Sequence, residues 1–494
     1  MRGFLPLLAS TAAHSVQLPA PSPLQLQCVT LDIDGRFPLS TTAPFYASWN
    51  VDSSRQRAFF STNFSDPRLL YLASLIGGAR IRFGGTGNDF LHYAVGPSAS
   101  PCRPTIPFAY ECLNTTWWEN LYALSVAANS PLIFGLNITG AASAAGWDPT
   151  NAVALLAYAR ARNQTLFALE LGNEQNSKGM THEQQAAAYA VLAAALDSVY
   201  PAGDPTRPLL VGPDPSGFHV APSLDPKMQM RLDYLVNFTN AAGALLTAVT
   251  HHEYIEIDAV NVTSSAFLDA TRQIGRQVVA AVRATAYPDV GVWAGEIGPH
   301  NGGNTPPDCE GNGVCGRYGS TLWYADALGA KAREGYSAFF RQDFIGADYG
   351  LVNYSSFAPS PDFWLLAIWR RAVGAGVLNA TQVQGFSHTT RVYSFCGRAP
   401  GTFVVLAVNL LDSAACVAAP GLAGSAPRTQ WVLQPGAGGV LSAEVLLNGV
   451  PLALDAAGRA PDLAGAAAPA AETLTLPPLG IAIAQWSTRA DACA

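Results

Sequence analysis

Lysine is almost absent from this chain. Three occur in 494 residues, Lys178, Lys227 and Lys331, and the four charged residue types together make up only 13%. Lys and Arg never cluster, and the formal net charge is −7. Nucleic acid, and more weakly any strong polyanion, needs a concentrated basic footprint, so this composition argues against both and leaves open only a groove that folding assembles from scattered arginines. Long apolar runs are missing too. No stretch of about 18 residues is free of charge, Pro and Gly, which argues against a transmembrane helix. CxxC pairs are absent among the eight cysteines, Cys28, Cys102, Cys112, Cys309, Cys315, Cys396, Cys416 and Cys493. Cys309 and Cys315 have no second thiol pair or histidine cluster near them, so zinc is disfavoured and disulfides are favoured.

What is present is globular. Hydrophobic residues make up 49%, and the length suits one large barrel plus a smaller domain. The opening "MRGFLPLLASTAAHS" has the order of a secretory signal, assigned to residues 1–14. Asn-x-Ser/Thr sequons occur at Asn63, Asn114, Asn137, Asn163, Asn237, Asn261, Asn353 and Asn379. Together with the even cysteine count they place the chain outside the cell or in a lysosome or vacuole, with membrane or wall association open.

Eight apolar runs alternate with helical stretches: "CVTLDID" (28–34), "ARIRFGG" (79–85), "PLIFGLN" (131–137), "LFALELGNE" (166–174), "PLLVGPD" (208–214), "TAVTHHEY" (247–254), "VGVWAGE" (290–296) and "GYSAFFRQD" (335–343). Read as continuous parallel strands with intervening helices, such as 181–200 capped by Thr181, they specify a (βα)8 TIM barrel over 28–370. After about 372 short strand-like runs separated by Gly, Pro and Ala predict an all-β sandwich.

The runs end in polar residues, which a barrel gathers at one mouth. Glu174 closes the fourth run and Glu296 the seventh. Two carboxyl groups facing each other across a sugar ring, one protonated and one ionised, are the minimal apparatus of glycoside hydrolysis. A separation of about 5–5.5 Å predicts retention through a covalent intermediate. Glu170, deeper in "LELGNEQN", reads as a paired carboxylate of the barrel wall. Of the adjacent His251 and His252, one reads as packed and one as lining the site, rather than as metal ligands.

These stretches resemble the heparanase-like family, glycoside hydrolase family 79. The matching segments are "VTLDID", "RFGGTGNDF", "LIFGLN", "LELGNEQNS", "GPD", "THHEY", "GE" followed by "NGGN", "FFRQDFIGADYGLVN", "PDFWLLAIWRRAVG" and "RVYSFC". The resemblance implies that Glu174 is the acid/base and Glu296 the nucleophile; a proton donor beside an ionised carboxylate needs a raised pKa, so a mildly acidic optimum is expected. It implies that Asn173 holds the 2-hydroxyl, that Asp32 and Thr86 line the glucuronate subsite, and that Tyr254 stands near the nucleophile. Gly302 and Gly303 would bind the substrate carboxylate through backbone amides, and Gln342 and Tyr349 would contact substrate. It implies no cofactor and no metal. It also implies that residues 15–27 join 371–494 in the sandwich and that Cys396 pairs with Cys493; Cys102–Cys112 and Cys309–Cys315 are expected as local bridges, which leaves Cys28 for Cys416. The chain departs from the animal members in having a short segment between Phe90 and Pro131, "PSGFH" after "GPD", and Glu253 after the paired histidines. The implied function is therefore a retaining β-glucuronidase, exo or endo, acting on a glucuronide or glucuronic-acid-containing glycan less sulfated than heparan sulfate. Its competitors are a barrel glycosidase for a neutral sugar and a non-catalytic glycan-binding relative.

Overall fold

The computed structural model describes residues 28–54, 62–96, 112–143, 146–219, 227–301, 313–385, 387–420, 427–469, 471–487 and 491–493. The signal segment 1–14 and the strand expected in 15–27 lie outside these residues.

Eight parallel strands close into a barrel: Ala47–Asp52, Ile81–Gly84, Leu132–Leu136, Leu166–Leu171, Leu209–Pro213, Ala248–Tyr254, Gly291–Gly298 and Ala338–Arg341. The eighth pairs with the first, which completes the ring. Seven strands fall on the apolar runs. The first does not. Cys28–Asp34 belongs to the other domain, antiparallel to Val373–Gln384 and parallel to Ala415–Ala418. The reason is periodicity. Val29, Leu31 and Ile33 are buried while Asp32 is exposed, the alternation of a strand covered on one face. The true first strand, "ASWNVD", is wholly buried but carries Ser48, Asn50 and Asp52, so it does not read as an apolar run.

Helices wrap the barrel. The helix His182–Val199 starts at Thr181, whose side chain and that of Gln184 form a reciprocal cap. The second domain is a mixed sheet, curled so that Val29, Leu31, Phe403, Val405, Leu474 and Trp486 enclose a core of their own. Its other face, with Val404, Leu406, Leu433 and Ile481, joins the main core beneath the barrel helices. Cys28–Cys416 and Cys396–Cys493 are disulfides that tie this sandwich. The expected bridges Cys102–Cys112 and Cys309–Cys315 each include a residue outside the described set.

Candidate active site

Strand alternation assigns the paired histidines. Along Ala248–Tyr254, Thr250, His252 and Tyr254 face the barrel interior, while His251 and Glu253 face the helices. His251 sits 2.7 Å from the Tyr336 hydroxyl, and burial holds its pKa well below the ordinary value. His252 stands opposite Glu296 on the next strand, where the register shifts by a bulge.

Around His252 the polar strand ends converge. Its Nδ1 lies 3.0 Å from Glu174 Oε1 and 3.7 Å from Glu296 Oε2, and its Nε2 lies 3.3 Å from Asp214. One ligand atom each from Glu174, His252 and Glu296 lie within 4.8 Å of one another. The Tyr254 hydroxyl donates to Glu296 Oε1. Arg82, fully buried, donates to Glu170 Oε2 at 2.7 Å, to Glu296 Oε2 at 2.9 Å and to Asn173 Oδ1 at 3.1 Å. Its guanidinium fits because residue 84 is glycine: a Cβ there would stand 2.5 Å from Arg82 Cζ.

Electrostatics follow from this crowding. Burial alone lowers the His252 pKa, but Glu296, Asp214 and Glu174 outweigh it and raise it to about 10. Burial raises Glu174, yet the His252 hydrogen bond and charge win and leave it below the ordinary value. The raised pKa expected for Glu174 is therefore not what the free protein holds. Glu170 is raised well above the ordinary value, by burial and by its neighbour Asp214 against the pull of Arg82. The Glu174, His252 and Glu296 spacing resembles a metal site, but its chemistry does not fit one. A protonated imidazole offers no lone pair, and the Arg82 cation already holds one of the two carboxylates, Glu296.

A family model, glycosyl hydrolase family 79, N-terminal domain, matches residues 48–329. The chain belongs to glycosyl hydrolase family 79. It is 29% identical over 366 residues to heparanase-like protein 3 of Arabidopsis thaliana, covering 69% of this chain and 63% of that relative. It is 28% identical to chicken (Gallus gallus) heparanase, covering 85% and 87%. It is 25% identical to baicalin-β-D-glucuronidase of Scutellaria baicalensis, covering 78% and 76%. In fold it is similar to a 4-O-α-L-rhamnosyl-β-D-glucuronidase of Fusarium oxysporum 12S, with TM-score 0.63, 15% identity and coverage of 92% and 99%.

Against the expectations from family 79, most of the named residues meet. Glu174 follows the fourth strand in a left-handed conformation, φ 53°, and keeps 26% of its side chain exposed. Asn173 Nδ2 reaches Thr86 Oγ1 at 3.4 Å. Gln342 is at the end of the eighth strand. Tyr349 is fully buried and packs with Tyr254. Glu170 is a wall carboxylate on Arg82, as its position implied. Gly302 and Gly303 lie outside the described residues. Among the described residues Asp32 is the misplaced member: it sits on the sandwich, paired with Thr381. Asp52, ending the true first strand, stands at the mouth instead and accepts from Gln342 Nε2 at 2.7 Å.

Sequence reading also passed over Arg82, Asp214 as the second partner of His252, and Asp89. Asp89 accepts from the Asn173 amide at 2.8 Å, from Gln175 Nε2 at 2.7 Å and from Lys178 Nζ at 2.7 Å. It thereby pins the turn that carries Glu174. An arginine inside the apolar run before "GG" was the available signal for Arg82.

Proposed function

We propose that the chain is a retaining β-glucuronidase that cleaves β-D-glucuronosyl linkages in a glycan or smaller glucuronide. The observation that carries this is the approach of Glu174 and Glu296 carboxylate oxygens within 4.8 Å across the barrel mouth, the close spacing that suits direct attack rather than an intervening water. Glu296 is the nucleophile. Arg82 and Tyr254 both donate to it, which fixes the carboxylate that must attack the anomeric carbon. Glu174 protonates the departing oxygen. The proton is held on His252 in the free protein and passes to Glu174 along the Nδ1 to Oε1 hydrogen bond as substrate excludes water from the partly exposed carboxylate. Glu296 then carries the glycosyl group, and Glu174 deprotonates the water that releases it.

Glucuronate as the sugar is supported by the family, by a relative named for baicalin β-D-glucuronide cleavage and by the glycine pair Gly302–Gly303 in sequence. A secreted, glycosylated chain fits the sequons. Six of the eight asparagines are exposed, whereas the Asn137 and Asn261 side-chain amides donate to the Leu91 and Glu256 carbonyls. The deciding assay compares 4-nitrophenyl β-glucuronide with the β-glucoside. Faster cleavage of the glucoside would sink the glucuronate assignment, and an α-configured first product would sink retention. Glu296→Ala is expected to abolish turnover, while Glu174→Ala should spare activated leaving groups, which need no proton.

A further inference from the structure

Few cations exist in this chain, yet four arginines wall one cavity far from the mouth. The cavity, about 540 Å³, lies between the helices Ser265–Arg283 and Tyr318–Arg333 and the sandwich. Arg272, Arg276, Arg333 and Arg391 face it, against one lining carboxylate, Asp269. Asp269 itself takes Arg391 Nη1 at 2.7 Å, and the other balancing carboxylates do not line the cavity. Glu334 accepts from Arg272 Nε at 2.7 Å and from Arg276 Nη2 at 3.1 Å, and Asp326 takes Arg391 Nε at 2.7 Å. Arg333 has neither a hydrogen bond nor an ion pair among the described residues. Burial, and then the charge of Arg272, lower its pKa against a smaller pull from Tyr393 and Glu334.

We propose that this cavity is a second, non-catalytic binding site for a sugar residue bearing an oxyanion, a uronate carboxylate or a sulfate ester. The guanidinium of Arg333, flanked by Arg272 and Arg276, matches a two-oxygen anion. The volume calls for more than a bare ion, because pockets of about 300–1,000 Å³ hold organic ligands. Gln273 and Thr381 line the same cavity and supply an amide and a hydroxyl for sugar hydroxyls. The site would hold an acidic glycan on the flank of the barrel while another part of it occupies the mouth.

The test uses the full chain carrying Glu296→Gln, so that nothing is cleaved, titrated by calorimetry with three ligands: unsulfated chondroitin tetrasaccharide, its 4-sulfated counterpart and inorganic sulfate. Two tetrasaccharide sites per chain are expected, and adding Arg333→Gln should weaken one at least tenfold. Because Arg333 has no side-chain hydrogen bond or ion pair to lose among the described residues, its replacement should not lower the melting temperature. Arg333→Gln alone should leave kcat/KM on 4-nitrophenyl glucuronide unchanged. Equal site counts and affinities with and without Arg333 would overturn the proposal. Sulfate binding as tightly as both tetrasaccharides would overturn the sugar assignment. If the mouth binds no tetrasaccharide, one site remains and must still respond to Arg333, which separates this proposal from the catalytic one.

Discussion

Two neighbours on one strand show how differently this protein treats buried charge. Glu253 faces outward and meets one cation, Lys331, at 2.5 Å, with both side chains buried. His252 faces inward, where it and Arg82 stand among four carboxylates, Glu170, Glu174, Asp214 and Glu296. The first arrangement is matched one to one and has no reason to move a proton. The second has more carboxylates than cations, so protons are shared and protonation states depend on one another. A fold that needed only stability would keep the first kind; a site that must shuttle a proton needs the second.

The sharpest way to break the comparison is to delete the cation from each. Arg82→Met and Lys331→Met should each destabilise the fold by about 3–5 kcal/mol, because each leaves buried carboxylate uncompensated. Only Arg82→Met should also silence the mouth, by about 10²–10³-fold in kcat, since it removes a donor aimed at Glu296. Thermal melts beside kinetics of the folded fraction separate the two effects. Comparable kinetic losses in both variants would erase the distinction.

His252→Asn probes the shared proton. The folded pKa of His252 is about 10 against an ordinary 6.5. Being raised, it contributes stability that is fully present below pH 6.5 and is lost as pH climbs through about 10. The variant should lose that alkaline decline in melting temperature. On substrates with poor leaving groups its kcat should fall by roughly 10²–10⁴-fold, and less on 4-nitrophenyl glucuronide. An unchanged alkaline decline would remove His252 as its source.

How much of this was legible beforehand depended on periodicity. Seven of the eight barrel strands were continuous apolar runs, and Glu174 and Glu296 stood at the ends of two of them. The first strand was hidden because Ser48, Asn50 and Asp52 break its apolar character, and that error carried Asp32 into the site in place of Asp52. Arg82 was hidden for the opposite reason: inside "RIRFGG" it looked like an interruption, whereas its reach to Glu296 depends on the glycine two residues on. The direction of the Glu174 pKa was not legible at all. It depends on the hydrogen bond and charge of a residue 78 positions away, and only the closed barrel brings the two together.

The smallest expected effect sits at the edge of the crowded region, in Asp89. Burial raises its pKa from 3.8 to about 6, against the pull of Lys178. A carboxyl raised on folding keeps its proton where the unfolded chain has lost it. The folded state therefore binds more protons between pH 3.8 and about 6, and stability falls as pH rises across that window, by about 3 kcal/mol, then levels off above it. Asp89→Asn should flatten this fall, which melting temperatures between pH 3.5 and 7 would register. Asparagine still accepts from the Asn173 amide but presents an amide to Lys178, so the turn carrying Glu174 should loosen rather than collapse. A kcat loss of no more than about 10² is expected, the scale of a small misplacement of a catalytic group. Glu253 is also raised by burial, but Lys331 opposes it at close range. If Asp89→Asn leaves the acid-side slope intact, that slope belongs to the matched pair and not to the mouth.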